Sequence, residues 1–319
     1  MLCLLGCGLA RGQLSLDREP PGPSSRKTGL VITEIMYHPR PVPGLTNRLQ
    51  FIEIFNSKPW DEAIGGFSLD GTIRYTFASN TVLAAGAYLV VARDPGFLQT
   101  NYSITNVVGP WVGSATNGLS IDRGTVLLRN RQGAVLLTVN YSDAPPWPVA
   151  ADGSGHSIVL ARPSYGEDDA RAWAESDVIG GSPGLADPVP VEPLASVVIN
   201  EWMAHTDLPL RDSIELYNHA NVAVDLSGAY LSDTPDTNRY RIPNGTIIGP
   251  GGFRAFDDSI LNFSLFAEGE TIFLVNSNQT RVIDAIDFKG MSNSVSAGRY
   301  PDGGPLQYAL ASRTFGGPN

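Results

Sequence analysis

Four glutamates, arranged in two matching pairs, are the residues of this chain whose types and spacing could most readily do chemistry. Glu34 and Glu53 lie in apolar runs near the start of the chain, and Glu201 and Glu215 lie in similar runs after its midpoint. If the runs of each pair form adjacent strands, two carboxylates come within reach, which gives either a raised pKa or ligands for calcium. Calcium takes about six to eight oxygens, and no Asp-x-Asp-x-Asp-Gly loop occurs. We therefore predict structural carboxylates that accept hydrogen bonds from backbone or an arginine and fix the strand register.

A histidine follows the first glutamate of each pair by four positions, at His38 and His205, which raises the alternative of a metal site. This spacing places two side chains on one face only in a helix, and Pro39 disfavours helical geometry at the first histidine. The chain has four histidines, His38, His156, His205 and His219. No two of them have metalloprotease spacing, so no metal site is predicted.

The sequence lacks the patterns expected for a nucleophile or a nucleotide site. Gly-x-Ser-x-Gly does not occur, and Gly153-Ser-Gly-His156 is interpreted as a turn, since Gly-Ser turns are common. No glycine-rich loop precedes Lys-Ser or Lys-Thr, and no Gly-x-Gly-x-x-Gly opens a helix. We expect no catalytic residue and no cofactor, and hence no enzyme.

Charge and cysteine content exclude further classes. Lys and Arg total 22 against 32 for Asp and Glu, a net charge of −10, which argues against a nucleic acid partner or binding to an anionic membrane through bulk charge. Cys3 and Cys7 are the only cysteines, so the remainder of the chain has no cysteine for a zinc site, an iron–sulfur cluster, a disulfide or a nucleophile.

The elements that carry the glutamates occur twice, in the same order. The matching segments are 31–38 with 198–205, 51–56 with 213–218, 64–69 with 226–231, 75–77 with 240–242, 84–88 with 249–253, and 125–128 with 271–274. Six colinear matches indicate a duplication. We predict a signal-like segment and disordered lead at 1–29, domains at 30–187 and 196–319, and a proline-rich linker at 188–195.

Short runs of Val, Ile, Leu, Tyr and Phe between Gly, Pro, Asn and Asp clusters predict strands throughout both domains. The predicted strands are 31–36, 50–56, 66–69, 73–77, 87–92, 125–129, 135–141 and 157–160, then 197–203, 213–217, 229–232, 239–242, 252–256, 271–275, 282–288 and 296–300. No window sustains a helical apolar period. The predicted fold class is all-β, with two consecutive antiparallel β-sandwiches joined by the linker.

The motifs of both copies resemble the lamin-tail domain. The first copy has Ile32-Thr-Glu34-Ile, Phe51-Ile-Glu53-Ile-Phe-Asn56, Gly66-Phe-Ser-Leu69 and Gly-Gly-Ser-Pro-Gly at 180–184; the second has Ile199-Asn-Glu201-Trp, Ile214-Glu215-Leu-Tyr-Asn218, Leu226-Ser-Gly228-Ala-Tyr-Leu231 and Thr314-Phe-Gly-Gly-Pro-Asn319. The resemblance implies immunoglobulin-like sandwiches of the bacterial secreted type and no catalytic residue. The family's filament role is not supported, because no coiled-coil heptads precede the domain.

The first copy carries an additional loop, residues 94–117. From Tyr88 to Thr125 is 37 positions, whereas the matching interval from Phe253 to Thr271 is 18. Loops on a rigid scaffold often present ligands, so Tyr102 and Trp111 are candidate ligand-facing residues. The alternative is that Trp111 folds back over the core, as large aromatic residues usually do.

The first ten residues are apolar and end in small residues, which is typical of a secretory signal. Lipidation at Cys7 is an alternative, which would anchor the chain. No later segment has 18 consecutive apolar residues, so no transmembrane span is predicted. We expect an extracellular or cell-surface location.

The function predicted from these features is a non-catalytic extracytoplasmic protein for binding, adhesion or structure, with an unknown protein or glycan as ligand. The alternative is the accessory N-terminal portion of a larger secreted enzyme, such as a hydrolase, a nuclease or a spore-coat-kinase-like protein. The resemblance implies this alternative, because lamin-tail domains of the bacterial type are often appended to such proteins.

Overall fold

The short apolar runs fold into antiparallel strands in both halves of the chain, as the computed structural model shows. The structure describes residues 18–113, 118–189 and 191–319, so the signal-like start with Cys3 and Cys7 lies outside the described residues. Each half places two sheets around its own apolar core, which confirms the predicted all-β class and the tandem sandwiches. Among the described residues, no helix combines the length and the hydropathy that a membrane crossing requires.

The first domain has a six-stranded sheet in the order β13-β12-β1-β2-β7-β8 and a five-stranded sheet in the order β11-β10-β4-β5-β9; β3 and β6 form a ribbon. Its strands are β1 (Leu30–Met36), β2 (Phe51–Asn56), β3 (Glu62–Ala63), β4 (Ser68–Gly71), β5 (Ile73–Thr76), β6 (Val82–Leu83), β7 (Tyr88–Ala92), β8 (Val107–Val108), β9 (Val112–Gly113), β10 (Arg123–Arg129), β11 (Val135–Ser142), β12 (Ile158–Leu160) and β13 (Trp173–Glu175). The helices are α1 (Pro95–Tyr102) and 3-10 turns at Thr46–Leu49, Val149–Ala151, Pro163–Tyr165 and Ala170–Ala172.

The second domain repeats this plan with fewer strands. Its sheets have the orders β20-β15-β14-β23-β24 and β18-β17-β21-β22, and β16 pairs with β19. Its strands are β14 (Val197–Met203), β15 (Ser213–Asn218), β16 (Val224–Asp225), β17 (Tyr230–Ser232), β18 (Tyr240–Arg241), β19 (Ile247–Ile248), β20 (Phe253–Asp257), β21 (Gly269–Val275), β22 (Val282–Lys289), β23 (Ala297–Arg299) and β24 (Gln307–Ala309). One short helix, α2, spans Asp258–Leu261.

Strand alternation explains the position of each core. In the first domain, Ile35 and Ile52 of the six-stranded sheet meet Val126 and Val139 of the five-stranded sheet, and all four are buried. Every second residue of a strand points to the same face, so a strand contributes to the core at alternate positions. Burying each such side chain contributes about 1.5–3 kcal/mol.

The insertion in the first domain is part of its fold. It forms α1 directly after β7, adds β8 in parallel to β7, and adds β9 to the other sheet. Asp94 caps α1 by accepting a hydrogen bond from the backbone N–H of Phe97, and Pro95 occupies the first turn. Leu98 of α1 is buried against Met36 and Phe51, on the sheet face that points away from the main core. Residues 114–117 of the predicted loop lie outside the described residues.

Residues 18–29, expected to be a disordered lead, instead pack on the first domain. The Arg18 guanidinium contacts the buried Asp177 carboxylate at 2.8 Å, and the backbone N–H of Glu19 donates to the carbonyl of Ala161 at 2.8 Å. Composition favoured disorder, but an arginine placed beside a buried carboxylate stabilises an ordered path. We call this segment the lead.

The predicted linker is in part second domain. Leu194 is 5% exposed and packs in the core of the second domain. The Glu192 carboxylate accepts a hydrogen bond of 2.9 Å from the side-chain amide of Asn276. Pro190 lies outside the described residues.

The two domains are in direct contact at a surface that we call the joint. Ala150 of the first domain packs against Phe273 and Val282 of the second. The backbone N–H of Ile179 donates to the carbonyl of Thr280 at 2.9 Å. Polar contacts complete the joint: Arg281 forms an ion pair with Asp177 at 2.5 Å, and the backbone N–H of Val282 donates to His156 Nε2 at 2.9 Å.

His156 can accept that hydrogen bond only while its imidazole is neutral. Its other nitrogen, Nδ1, lies 2.7 Å from the carbonyl of Ser176, so Nδ1 carries the proton. Burial lowers the pKa of His156 from 6.5 to about 4. The joint is therefore built for an uncharged histidine.

Acidification is predicted to weaken the joint through His156. Because the folded pKa is depressed, this contribution is fully present above pH 6.5 and is lost as the pH falls through about 4. Between these two pH values the free energy of unfolding should fall by on the order of 3 kcal/mol through His156. Thermal unfolding of the parent chain and of His156→Gln, which cannot titrate, measures it: the parent should lose stability more steeply. Parallel pH profiles would contradict this role for His156.

Candidate functional site

A β-bulge at the same position in both domains brings the glutamates together. The pairing of β1 with β2 shifts register between Ile32 and Glu34, which sets Glu34 directly opposite Glu53. The pairing of β14 with β15 shifts between Ile199 and Glu201, which sets Glu201 opposite Glu215. A bulge inserts one extra residue into one strand and re-aims the neighbouring side chains. The predicted proximity of the carboxylates is thus observed in each copy.

In the first domain the carboxylates bind the chain segment that crosses the outer face of the sheet, residues 180–187, which we call the first closing segment. Glu34 accepts hydrogen bonds from the backbone N–H of Ser182 at 3.0 Å and from the hydroxyl of Ser157. Glu53 accepts from the backbone N–H of Gly184 at 2.6 Å. It also accepts from the hydroxyl of Thr33, the extra residue of the bulge, at 2.6 Å.

The second domain repeats this arrangement with residues 312–319, the second closing segment. Glu201 accepts from the backbone N–H of Thr314 at 3.1 Å and from its hydroxyl at 2.9 Å. Glu215 accepts from the backbone N–H of Gly316. Within the described ranges none of the four glutamates forms an ion pair, so backbone, hydroxyl and side-chain amide donors, and not an arginine, hold them.

Burial sets the electrostatics of these carboxylates. It raises the pKa of Glu34 to about 7, and burial together with the charge of Glu34 raises the pKa of Glu53 well above its ordinary value. Burial also raises the pKa of Glu215 to about 7. Such groups could exchange protons near neutral pH, but at 1% exposure or less they are covered by the closing segments and do not reach a substrate. The arrangement is therefore suited to holding the chain together.

The two aromatic residues that were predicted to face a ligand pack inside the first domain instead. Trp111 is 6% exposed and belongs to the main core of the first domain, as the alternative prediction had it. The Tyr102 hydroxyl donates to the carbonyl of Gly180 at 2.5 Å. Both side chains support the insertion, because burying their rings removes a large apolar surface from water.

The histidines are not brought to the glutamates. His38 contacts Asp152, and His205 Nδ1 lies 3.0 Å from the carbonyl of Met291. Across the described part of the chain, no three His, Cys, Asp or Glu side chains are grouped as a metal site. His156, interpreted from the sequence as part of a turn, is instead a central residue of the joint. No local pattern could reveal this, because its partner Val282 is 126 positions away.

Removing one glutamate should loosen the closing segment of its own domain. Glu53→Ala leaves the backbone N–H of Gly184 and the hydroxyl of Thr33 without an acceptor, which should cost about 1–3 kcal/mol. Hydrogen exchange read by mass spectrometry should show faster exchange at 180–187 and unchanged exchange at 312–319. Glu215→Ala should give the reverse pattern, and the exposed Glu268→Ala should change neither. Equal effects at both closing segments would refute the assignment.

Gly181 is required where the first closing segment passes over Glu34. Its φ of +73° is strained for other residues, and an added Cβ would lie 2.2 Å from Glu34 Oε1. Gly133 has a similar φ of +81° but open space around it. Backbone strain should lower the free energy of unfolding of both Gly→Ala variants by about 1–2 kcal/mol. Crowding against Glu34 should lower that of Gly181→Ala by about 1–3 kcal/mol more. Urea unfolding measures the difference, and equal losses would show that the carboxylate does not restrict this position.

Comparison with known proteins identifies the family. The model of the Lamin Tail Domain family matches residues 23–143 and 190–290, which together make up more than half of the chain. A solved structure from a study of the inhibition of an exo-β-D-glucosaminidase is similar at 12% identity over 74% of this chain, with a TM-score of 0.18. The aligned region spans only 25% of that protein's length, and no curated protein matches the chain. The chain belongs to the lamin tail domain family and carries two of these domains in tandem.

Proposed function

We propose that the chain is a non-catalytic extracytoplasmic protein that binds a ligand or builds structure through two lamin tail domains. One observation carries this proposal. The four paired glutamates, which were the strongest candidates for chemistry, are all covered and hydrogen-bonded by the closing segments. Groups that are engaged in this way do not act on a substrate without first opening the fold.

The joint supports a role in binding. Contacts of several kinds connect the domains, namely apolar packing, backbone hydrogen bonds and the ion pair between Arg281 and Asp177. Two surfaces at a fixed relative orientation can engage a repeating ligand together, which raises the apparent affinity without new contacts. A protein or a glycan is a suitable ligand for two such surfaces. A nucleic acid does not, because the net charge is −10.

The location rests on the apolar start of the chain. We infer export through a secretory signal, with either release or attachment of a lipid at Cys7. Mass spectrometry of the mature chain separates these two routes, because a lipid on Cys7 adds a defined mass.

Binding without turnover is the expected behaviour of the intact chain. Purified protein should sediment with at least one of a panel of insoluble cell-wall polysaccharides, should saturate, and should release no soluble sugar. Heat-denatured chain is the control for non-specific adsorption. Release of product that Glu53→Gln abolishes would overturn the proposal in favour of an enzyme, because that variant removes the charge of a carboxylate while preserving its shape. Absence of binding to every polysaccharide would remove the glycan class as ligand.

A further inference from the structure

The first domain has a groove on its surface beside the lead. It is a cavity of about 750 Å³ between the lead, the end of β2 and the 3-10 turn at Pro163–Tyr165. Sites for small ligands commonly have volumes of about 300–1,000 Å³. We call it the basic groove, and it is lined by residues 23–29, 57–59 and 163–164.

Cations are concentrated in the basic groove. The chain has three lysines, and two of them, Lys27 and Lys58, line it together with Arg26. None of the lining residues is Asp or Glu, although acidic residues outnumber basic ones in the chain by 32 to 22. The groove is therefore a local positive site on an acidic protein, which attracts anions.

Most of this positive charge is not neutralised by the protein. Lys58 Nζ lies 2.9 Å from a Glu62 carboxylate oxygen, and Glu19 accepts hydrogen bonds from Ser164 at the rim. Arg26 and Lys27 form no ion pair within the ranges that the structure describes. Lys27 Nζ donates a hydrogen bond to the carbonyl of Val135 at 3.4 Å, which leaves two of its N–H groups for an anion, and the Arg26 side chain is exposed.

An exposed aromatic ring lies next to the lining residues of the groove in the sequence. Trp60 follows the lining residue Pro59, is 58% exposed, and has Lys58 Nζ 5.7 Å from its ring centre. An exposed indole offers a flat apolar face next to the cations.

We infer that the basic groove binds an oligosaccharide that carries carboxylate or sulfate groups. A sugar ring presents an apolar C–H face to the indole beside the groove and its acidic group to Arg26 and Lys27. Charge-assisted hydrogen bonds of this kind are stronger than neutral ones. A nucleic acid is less suitable, because the remaining surface of the acidic chain repels an extended row of phosphates. This inference rests on the proposed binding function and names the ligand class.

Isothermal titration of the intact chain tests the groove with four probes of matched length: an oligogalacturonate, a sulfated oligosaccharide, a neutral oligosaccharide and a single-stranded oligonucleotide. At least one of the two acidic oligosaccharides should bind, the neutral one should not, and the affinity should fall as salt is raised. The double variant Arg26→Gln/Lys27→Gln should weaken binding by roughly tenfold or more, because two charge-assisted contacts are lost.

Control variants show whether the loss of affinity in the double variant comes from the groove. Lys289→Gln removes the third lysine, which is exposed and paired with Asp287 in the second domain, and should leave binding unchanged. Trp60→Ala should weaken binding of the acidic sugar while leaving its salt dependence intact. Thermal melting of each variant confirms that the domain is folded, and since Arg26 and Lys27 are exposed, no loss of stability is expected from the double variant.

The remaining outcomes separate this inference from the proposed function. If an acidic oligosaccharide binds the double variant as well as it binds the parent, the groove assignment is wrong while a glycan-binding function stands. Equal binding of acidic and neutral oligosaccharides would overturn the ligand class. Tighter binding of the oligonucleotide, lost in the double variant, would replace the sugar by a nucleic acid. If none of the four probes binds saturably, the groove is not a site for anions.

Discussion

Each domain depends on placing two buried carboxylates opposite each other on the outer face of its larger sheet. Carboxylates removed from water need hydrogen-bond donors, and the closing segments supply backbone N–H groups for this purpose. In the first domain the donors are Ser182 and Gly184, and in the second they are Thr314 and Gly316. The bulge, the positive φ of Gly181 and the crossing of the sheet by the closing segment all follow from this single requirement.

The two domains differ in what covers the outer face of the larger sheet. In the first domain α1 lies on it, with Leu98 packed against Met36, and Tyr102 donates to the carbonyl of Gly180 in the closing segment. In the second domain the corresponding helix, α2, is a single turn. The insertion therefore extends the outer layer and both sheet edges, which explains why its aromatic side chains are turned inward.

Local periodicity made much of the fold predictable from the sequence. All the strands of four or more residues lie within about two residues of their predicted bounds, because each buries one face and shows the corresponding alternation. The three-residue strands β13 and β24 lie outside every predicted strand. The two-residue strands, such as β3 and β16, are too short to show alternation. The glutamate pairs could be predicted to lie together, because each lies on one of two neighbouring strands. Their donors could not, because Ser182 is 148 positions from Glu34 and no local pattern records such a contact. The same holds for Arg18 beside Asp177, which orders a lead that composition alone suggests is disordered.

The lead connects the joint to the basic groove. Arg18 at its start contacts Asp177, which also pairs with Arg281 of the second domain, and Arg26 and Lys27 near its end line the groove. Asp177 is 3% exposed, so withdrawing Arg18 would leave Arg281 as the remaining cation beside a buried carboxylate. The lead is therefore anchored at the joint, and the cations of the groove are held by an ordered segment. A groove built in this way is preorganised, and an anionic ligand that enters it does not have to order a flexible tail first.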